Sequence, residues 1–518
     1  MMMMMITMFT LTSSLIADTN VVKRIEWTFG SDVTSAIDAS KGTRRENVFR
    51  VNCTITTTTT ITGLPVVFRN APSSTWDASN WTLSGIRRKV DKDLRLPVKV
   101  QTLQKFHLGC CVTKSLRAKT FFRRLQKEEF AKRDRQIAYF AGPLQFLGPA
   151  LQNDVNISMY DAREVSPDSA YCQFIADTQC LRTSSLFFFS HLPTYTHTQS
   201  NTETTVWIGS RHATTPCHHD ELHNFFVQIQ GSKRFTLFPP DAWDELELFP
   251  KYHQYHRNVH ANIDSSPPPK PIHKTSRMDV LMSPGDVLYL PPLWFHQVQA
   301  LSSNSISVNV WSASRWIRDV MKVWNQDVPL DFKTENVNDL VTKIASYVKN
   351  IATDVLSNDS TTFFETVWRK RYNTKSSREM NQESAEYIQH HEYIKRVETN
   401  SPSFFVQSGI SDPESTLRDV CRSSSSTTRP QQKTYEEHAS RVGAIFREAT
   451  RQNEMRGRVG WIRGATEIYL AHYLEDLISQ VVGFQNVNYF YRECLLAAGG
   501  SGEGINKLIG GGDDKTEL

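Results

Sequence analysis

Short β-rich segments of apolar residues, bounded by Gly, Pro or Ser, fill the middle of the chain, from about residue 183 to residue 312. Closely spaced strands separated by turn signals are typical of a β-barrel or a β-sandwich, and not of alternating strands and helices. The segment Gln230-Gly231-Ser232 predicts a tight turn that joins two of these strands into a hairpin. Five segments rich in β-branched and aromatic residues are predicted strands: 206–209, 224–230, 234–238, 286–290 and 306–311.

Helical patterns flank this β-rich region on both sides. Apolar residues recur at roughly helical spacing over Lys114–Ala138, and Trp81–Val90 has the pattern of a short amphipathic helix. On the C-terminal side, apolar stripes at i, i+3, i+4 and i+7 spacing predict long helices over 337–351 and 462–481. These helices either form a homodimer, which we favour, or pack back on the barrel.

Changes in pattern divide the chain into four predicted parts. Residues 1–59 form a polar lead-in, 60–315 a β-rich domain, and 316–498 a helical region. The Ser- and Thr-rich stretch 423–432 predicts a low-complexity linker within the helical region, and the Gly-rich residues 499–518 predict a disordered tail.

Composition places the chain among globular proteins without naming a partner. The net charge of +5 is spread over 518 residues, so it argues neither for nor against a polyanionic partner. The eight cysteines contain no CxxC pair, which argues against a structural zinc module. A chain of this length does not need disulfides, so we expect reduced thiols.

The N-terminus gives an ambiguous signal for localisation. Met1–Ala17 is apolar and uncharged, but it lacks the basic start of a secretory signal and is too short to span a membrane. We expect an intracellular protein, in the cytoplasm or nucleus, with no membrane association. Glycosylation sequons keep a secretory route open: Asn52, Asn80, Asn156 and Asn358.

Two histidines and one aspartate are the strongest candidates for chemistry. His218 and Asp220 are two residues apart, so on a strand their side chains share a face. His296 lies 78 residues further on, in a strand segment entered through Pro291-Pro292. Two imidazoles and one carboxylate are the ligand set of non-haem Fe(II) oxygenases, which leaves positions open for cosubstrate and O₂.

Polar residues in otherwise apolar strands support this hypothesis. Lys233 follows His218 by fifteen residues, just past the Gly231 turn. A lysine that lines a barrel is costly unless an anion pairs with it, and a dicarboxylate cosubstrate would supply that anion. Hydrogen-bonding side chains lie in or beside the same strands: Thr215, Asn224 and Asn309.

Three motifs in order carry a family resemblance. They are ATTPCHHDELHNFFVQIQGSKRFTLFPP at 213–240, SPGDVLYLPPLWFHQV at 283–298 and SISVNVW at 305–311. This pattern resembles the JmjC-domain 2-oxoglutarate oxygenases, in particular the small hydroxylase branch that includes the asparaginyl hydroxylase inhibiting hypoxia-inducible factor. The resemblance covers about residues 60–315 and implies a mainly β fold, a double-stranded β-helix (jelly-roll or cupin) barrel with flanking helices.

The resemblance also implies roles for individual residues. His218, Asp220 and His296 would bind Fe(II). Lys233 would pair with the C5 carboxylate of 2-oxoglutarate, with help from nearby side chains. These side chains are Thr215 and Tyr139, although Tyr139 could instead be a packed core aromatic. Asn224 and Asn309 would flank the cosubstrate and the iron. Two neighbours have other expected roles, since Cys217 would pack as a small hydrophobe and His219 would lie behind the ligands or at the surface.

The activity implied is hydroxylation of a protein side chain with release of succinate and CO₂. Asp220 in place of glutamate, together with the missing zinc module, favours hydroxylation over histone lysine demethylation. Hydroxylation of a modified tRNA base stays open, and a basic cleft would favour it: Lys251, His253, His256 and Arg257. A non-catalytic cupin scaffold is the remaining alternative, although a scaffold has no need of metal ligands.

Overall fold

A computed structural model gives the fold of the chain. It describes residues 23–26, 50–52, 65–69, 76–102, 112–155, 202–263, 277–330, 335–356, 360–374, 395, 402–423, 429–454 and 462–497. The Met1–Ala17 segment and the predicted tail at 499–518 lie outside the described residues.

Fourteen strands in the described residues form two sheets. The larger sheet has ten strands in the order β2-β1-β3-β12-β9-β14-β7-β6-β4-β5, and the smaller has four in the order β11-β10-β13-β8. The strands are β1 (Lys23–Glu26), β2 (Arg50–Asn52), β3 (Val66–Arg69), β4 (Arg95–Thr102), β5 (Val112–Arg117), β6 (Gln136–Pro143), β7 (Thr202–Ser210), β8 (Thr214–His218), β9 (Leu222–Gln230), β10 (Lys233–Phe238), β11 (Met278–Met282), β12 (Val287–Leu290), β13 (Phe295–Ala300) and β14 (Asn304–Ala313).

Apolar side chains from both sheets fill one core between them. Phe226 and Leu288 from the ten-stranded sheet share a buried cluster with Phe235, Leu237 and Val280 from the four-stranded sheet. All five predicted strands are present, as parts of β7, β9, β10, β12 and β14. The two facing, mainly antiparallel sheets confirm the predicted double-stranded β-helix.

The turn at Gly231 joins the two sheets and not two paired strands. Strand β9 pairs with β12 and β14, whereas β10 pairs with β11 and β13. The predicted hairpin is therefore wrong, although the turn itself is present. Gly231 has a φ of +71°, and a Cβ there would lie 2.2 Å from the carbonyl oxygen of Asn304, so the crossing needs glycine.

The predicted helix over Lys114–Ala138 is correct only in its centre. Residues 112–117 form the edge strand β5, and residues 136–143 form β6. Between them lie α2 (Ala118–Gln126) and α3 (Glu129–Lys132), which bury the phenylalanines that produced the helical pattern. The shorter helix predicted over 81–90 is confirmed as α1 (Leu83–Lys89), whose first turn is capped by the Thr82 hydroxyl accepting from the Gly85 amide.

The remaining helices lie mostly in the C-terminal half. They are α4 (Pro149–Gln152), α5 (Arg315–Val320), α6 (Val337–Leu356), α7 (Ser360–Val367), α8 (Phe404–Gln407), α9 (Pro413–Ser423), α10 (Arg429–Glu454), α11 (Ile462–Val482) and α12 (Val487–Phe490). Both long predicted helices are confirmed, as α6 and α11. The predicted linker over 423–432 is wrong at its end, because α10 already begins at Arg429. Within the described ranges, no helix is both long and apolar enough to cross a membrane.

Helix α11 is buried on nearly all sides and packs back on the barrel domain. Its buried residues include polar ones such as His472 and Glu475, so its apolar pattern is not the single stripe that was predicted. The Gly464 amide donates to Asp241 Oδ1 at 2.6 Å, and the Lys251 amide donates to Glu475 Oε2 at 2.8 Å. The apolar surface on which the predicted homodimer depended is therefore used within the chain.

A disulfide joins Cys421 in α9 to Cys494 near the end of the described chain. The expectation of reduced thiols is wrong for this pair. The two residues are 73 positions apart, and only the packing of α9 on the C-terminal segment brings them together. Cys217 is buried in an apolar cluster, as predicted.

Candidate metal and cosubstrate site

Strand pairing in the smaller sheet brings the two candidate histidines together. His218 is the last residue of β8 and lies directly opposite His296 on the antiparallel strand β13. Asp220 follows two residues after the end of β8. The turn into β13 is fixed to this segment, because the Leu293 amide donates to the Asp220 carbonyl oxygen at 2.7 Å. Leu293 itself has a φ of +66°, a strained conformation for leucine.

The donor atoms of these three side chains converge on one point. One ligand atom from each of His218, Asp220 and His296 lies within 4.8 Å of the others. His218 Nε2 is 3.9 Å from Asp220 Oδ1, and His296 Nε2 is 3.4 Å from Asp220 Oδ2. The two imidazole rings are 4.3 Å apart between centroids.

Backbone carbonyls fix the orientation of both imidazoles. His218 Nδ1 lies 2.8 Å from the Pro216 carbonyl, and His296 Nδ1 lies 2.9 Å from the Trp294 carbonyl. A carbonyl only accepts, so each Nδ1 carries the proton and each Nε2 directs its lone pair towards Asp220. This is the second hydrogen bond that metal-binding histidines commonly make.

The charges at the site suit a cation. Burial and the neighbouring His296 lower the pKa of His218 to about 4, so its imidazole is neutral at pH 7. Burial raises the pKa of Asp220, but contacts with His296 and His218 and the charge of Arg257 outweigh it and hold the net pKa well below the usual range. Asp220 Oδ2 is buried and makes no hydrogen bond to the described residues. Two imidazoles and an ionised carboxylate fit a divalent transition metal.

A cavity lined in part by β8 and β13, the strands that carry His218 and His296, is also lined by three predicted cosubstrate residues. Tyr139, Thr215 and Lys233 lie around it together with Trp207 and Ser305. Lys233 is only 8% exposed, and its Nζ donates to Ser307 Oγ at 2.7 Å. Burial lowers the pKa of Lys233 to about 7. Tyr139 is only partly buried and faces the cavity, which is at odds with the alternative of a packed core aromatic.

Asn224 and Asn309 form a buried pair outside the lining of that cavity. Asn309 Nδ2 donates to Asn224 Oδ1 at 2.8 Å, and both residues are at most 3% exposed. The Asn309 amide oxygen has no hydrogen-bond partner in the described part of the chain. The pair thus offers one unused acceptor in the barrel interior.

Two residues at the cavity were not predicted from the sequence. Ser307 binds the Lys233 ammonium, and Trp207 stacks on Tyr139 with ring centroids 6.2 Å apart. A signal for Ser307 was present, because polar and apolar residues alternate strictly in Ser305-Ile-Ser-Val-Asn-Val and put Ser307 on the face of Asn309. For Trp207 the sequence offered no comparable signal.

His219 is a fully buried residue behind the ligands. Its ring packs edge-on against Phe295, with centroids 5.4 Å apart, and its amide donates to the Arg257 carbonyl. The surface position that the sequence left open for His219 is therefore wrong. The segment carrying Arg257 and Asn258 is also joined to the ligand strand by a β-bridge between Asn258 and His218.

The basic cleft considered for RNA is largely used in internal contacts. Lys251 forms an ion pair with Asp476, and its Nζ lies 5.0 Å from the Trp324 ring. Burial lowers the pKa of His256 to about 4, so it is neutral at pH 7. Arg257 Nη1 lies 3.5 Å from Asp220 Oδ1. These residues do not form a free cationic surface.

Comparison with known proteins places this geometry in a family. HSPB1-associated protein 1 from Rattus norvegicus is 39% identical over 115 residues, 21% of this chain and 24% of that protein. Lysine-specific demethylase JMJ30 from Arabidopsis thaliana is 36% identical over 108 residues, 20% of this chain and 25% of that protein. tRNA wybutosine-synthesizing protein 4 from Neurospora crassa is 38% identical over 96 residues, 18% of this chain and 8% of that protein. The matches span a quarter or less of these relatives.

The sequence profile of the cupin-like domain matches residues 55–315, about half of the chain. The predicted family resemblance is thereby confirmed, while the asparaginyl hydroxylase branch stays a prediction. The two facing sheets and the paired histidines agree with this profile. We conclude that the chain belongs to the cupin-like domain family, in its JmjC form.

Proposed function

We propose that this protein is an Fe(II)- and 2-oxoglutarate-dependent dioxygenase that hydroxylates a side chain of a protein substrate. The observation that carries the proposal is the convergence of His218, Asp220 and His296 at strands β8 and β13, which also line the cavity that contains the buried Lys233. In this proposal the catalytic domain comprises residues 60–315, and residues 316–498 form a helical region that supports it.

His218, Asp220 and His296 would hold the Fe(II) ion. When bound, iron lets O₂ react with 2-oxoglutarate and a substrate C–H bond, which gives succinate, CO₂ and the hydroxylated substrate. The chain's contribution is orientation, because the carbonyls of Pro216 and Trp294 hold both Nε2 atoms towards the carboxylate of Asp220. Three protein ligands leave coordination positions for the cosubstrate and O₂.

Lys233 would bind the C5 carboxylate of 2-oxoglutarate. The Lys233 ammonium would then exchange its bond to Ser307 for the carboxylate, with Thr215 and Tyr139 as further hydrogen-bond donors. A buried ammonium gains more from a carboxylate than from a neutral hydroxyl, because the ion pair offsets its lost hydration.

Asn224 and Asn309 would border the cosubstrate on the other side. Their mutual hydrogen bond fixes both amides, and the free acceptor of Asn309 is available to a donor inside the barrel. Fixed amides of this kind orient a reactant without moving during the reaction. Both roles for these residues belong to the proposal.

The observations favour a protein substrate over tRNA. The cleft that would favour tRNA is used in contacts within the chain, through Lys251 and Asp476 among others. The names of two relatives refer to proteins, one to association with HSPB1 and one to lysine demethylation, whereas a third refers to tRNA. Hydroxylation rather than demethylation rests on Asp220, as the family resemblance implies.

The test is succinate release by the purified full-length chain with Fe(II), ascorbate and 2-oxoglutarate. We expect slow turnover in the absence of substrate, and its loss together with bound iron in His218→Ala. His212→Asn is the matched control, because His212 is exposed, lies in a left-handed conformation that asparagine tolerates, and is not a proposed ligand.

Product analysis separates the alternatives. Hydroxylation adds one oxygen atom to a peptide, demethylation releases formaldehyde, and a tRNA substrate raises succinate release when peptides do not. A protein that binds neither iron nor 2-oxoglutarate, with no succinate from either variant, would show that the scaffold alternative is correct.

A further inference from the structure

Positive charge is concentrated in one part of the chain. Residues 83–135 contain sixteen Lys and Arg against five Asp and Glu, whereas the net charge of all 518 residues is only +5. This segment includes α1, the strands β4 and β5, and the helices α2 and α3. The proposed metal and cosubstrate residues do not account for this charge, because only Tyr139 lies near it in sequence.

Four of these sixteen basic residues lie on a two-stranded ribbon, which we define as β4 (Arg95–Thr102) and β5 (Val112–Arg117). Arg95 is directly opposite Arg117, and Lys99 is opposite Thr113, so all three basic side chains share one face. Arg95, Lys99 and Arg117 are exposed. Like charges directly opposite each other destabilise a sheet, so stability does not explain why Arg95 lies opposite Arg117.

The outer edge of the ribbon is open in the described part of the chain. Strand β5 is the last strand of the ten-stranded sheet, and it pairs with β4 alone. Val112, at its start, is 62% exposed. An edge strand presents amides and carbonyls at every second residue, and an extended peptide can pair with them. Arg95 already donates to the Ser115 hydroxyl at 3.0 Å and to the Ser115 carbonyl at 2.9 Å, so it would exchange these bonds for a carboxylate of the peptide. Lysines on an edge also discourage aggregation, but one or two suffice for that.

The ribbon continues the sheet face that lines the proposed cosubstrate cavity. Lys99 lies directly opposite Tyr139 on β6, and its Nζ is 5.7 Å from the centre of the Tyr139 ring. Tyr139 lines the cavity. The edge strand is two strands away from β6, so a segment paired with its outer edge would lie three strand spacings, about 14 Å, from β6. Such a segment would therefore extend the sheet that carries Tyr139.

We propose that the outer edge of β5 binds an acidic, extended polypeptide segment, which pairs with the strand and places its carboxylates against Arg95, Lys99 and Arg117. Identification of this segment as part of the substrate rests on the proposed oxygenase function, but its binding does not. A nucleic acid fits less well, because the described ribbon carries no aromatic side chain on which bases stack. Backbone pairing with an open edge is available to a polypeptide alone.

Binding is measured by fluorescence anisotropy on the full chain without added iron or 2-oxoglutarate. The probe is a labelled ten-residue peptide of alternating Glu and Val. We expect Lys99→Glu/Arg117→Glu to weaken binding about tenfold, since each reversal replaces an attraction by a repulsion. The charge-matched control Arg369→Glu/Arg441→Glu, at exposed helical positions away from the ribbon, should stay within about twofold of the wild type.

Two further probes test the backbone pairing. The same peptide with alternate amides N-methylated keeps its charge but loses donors, so it should bind at least about tenfold more weakly. Hydrogen exchange of the amides in Val112–Arg117 should slow when the unmodified peptide is bound. Thermal unfolding of each variant shows whether the fold is retained.

Three results would overturn the docking proposal: equal binding of both peptides, unchanged exchange in β5, or tighter binding of poly(U) RNA than of the acidic peptide at the same salt. The first two would exclude strand pairing, and the third would identify the ribbon as an RNA surface. Peptide binding without succinate release in the separate assay would contradict the proposed oxygenase function but not the docking site.

Discussion

Substitution of Lys233 by methionine should stabilise the protein while abolishing cosubstrate binding. Methionine has a similar length and no charge, so it removes the buried ammonium without opening a large cavity. Lys233 is 8% exposed, and its ammonium contacts the Ser307 hydroxyl and the face of the Phe226 ring, 5.0 Å away. Neither partner is an anion, so the charge is uncompensated until a carboxylate binds.

The size of the stability effect follows from the pKa of the lysine. Burial lowers this pKa from 10.5 to about 7, which corresponds to a cost of about 5 kcal/mol in the folded state at pH 7 and below. Loss of the Ser307 partner subtracts about 1 to 3 kcal/mol from the gain. A net stabilisation of about 2 to 4 kcal/mol at pH 7 is therefore expected.

The pH dependence of stability distinguishes the buried lysine from other causes of stabilisation. Between pH 7 and pH 10.5 the folded wild type has lost the proton of Lys233 while the unfolded chain still holds it, so wild-type stability should rise with pH in this window. Lys233→Met has no such proton, and its stability should lack this rise. The advantage of the variant should shrink accordingly as the pH increases.

Cosubstrate binding should change in the opposite direction. Removal of the cationic partner of a buried carboxylate costs about 3 to 5 kcal/mol, which weakens 2-oxoglutarate binding by roughly two to three orders of magnitude. Urea denaturation at several pH values measures the first effect, and calorimetric titration with 2-oxoglutarate measures the second. A variant that is less stable than the wild type, or that binds 2-oxoglutarate equally well, would refute the reasoning.

Three further predictions concern stability and are measured by urea denaturation. Asn309→Ala should cost about 1 to 3 kcal/mol, because it leaves the Asn224 acceptor buried without its donor; a change below about 0.5 kcal/mol would contradict the pairing. Arg371→Met should cost about 3 to 5 kcal/mol, since it leaves the fully buried Glu475 without its cation, and adding Glu475→Leu should recover most of that loss. Reduction of Cys421–Cys494, which are 73 positions apart, should cost up to about 4 kcal/mol and be reversed by reoxidation; no effect of reductant would exclude the disulfide.

Local sequence patterns were sufficient to predict five of the barrel strands and to select His218, Asp220 and His296 as candidate ligands. Strand β14 alternates polar and apolar residues, and β13 follows a proline turn, so both were visible in a window of a few residues. His218 and Asp220 were found because their spacing fixes them on one side of the chain. Features that depend on one segment at a time can thus be predicted from the amino-acid sequence alone.

Features that depend on two distant segments cannot. The Gly231 turn has the sequence of a hairpin, but the strand after it finds better partners in β11 and β13 of the opposite sheet. Helix α11 has an apolar pattern that suits a dimer interface equally well, and only its contacts with Asp241 and Lys251 show that it is covered within the chain. In each case the local pattern fits two tertiary arrangements, and long-range packing selects one.

The crossing at Gly231 is also what makes the site possible. If β9 and β10 had formed a hairpin, Lys233 would pair with Gln230 in the same sheet as Asn224. Because the chain crosses to the opposite sheet, Lys233 faces Ser307 on β14 across the barrel interior, 74 positions away in sequence. The crossing needs glycine at position 231 because of its left-handed conformation and the close Asn304 carbonyl. Gly231 therefore places Lys233, the proposed anion-binding lysine, opposite the sheet that carries Asn224 and Asn309.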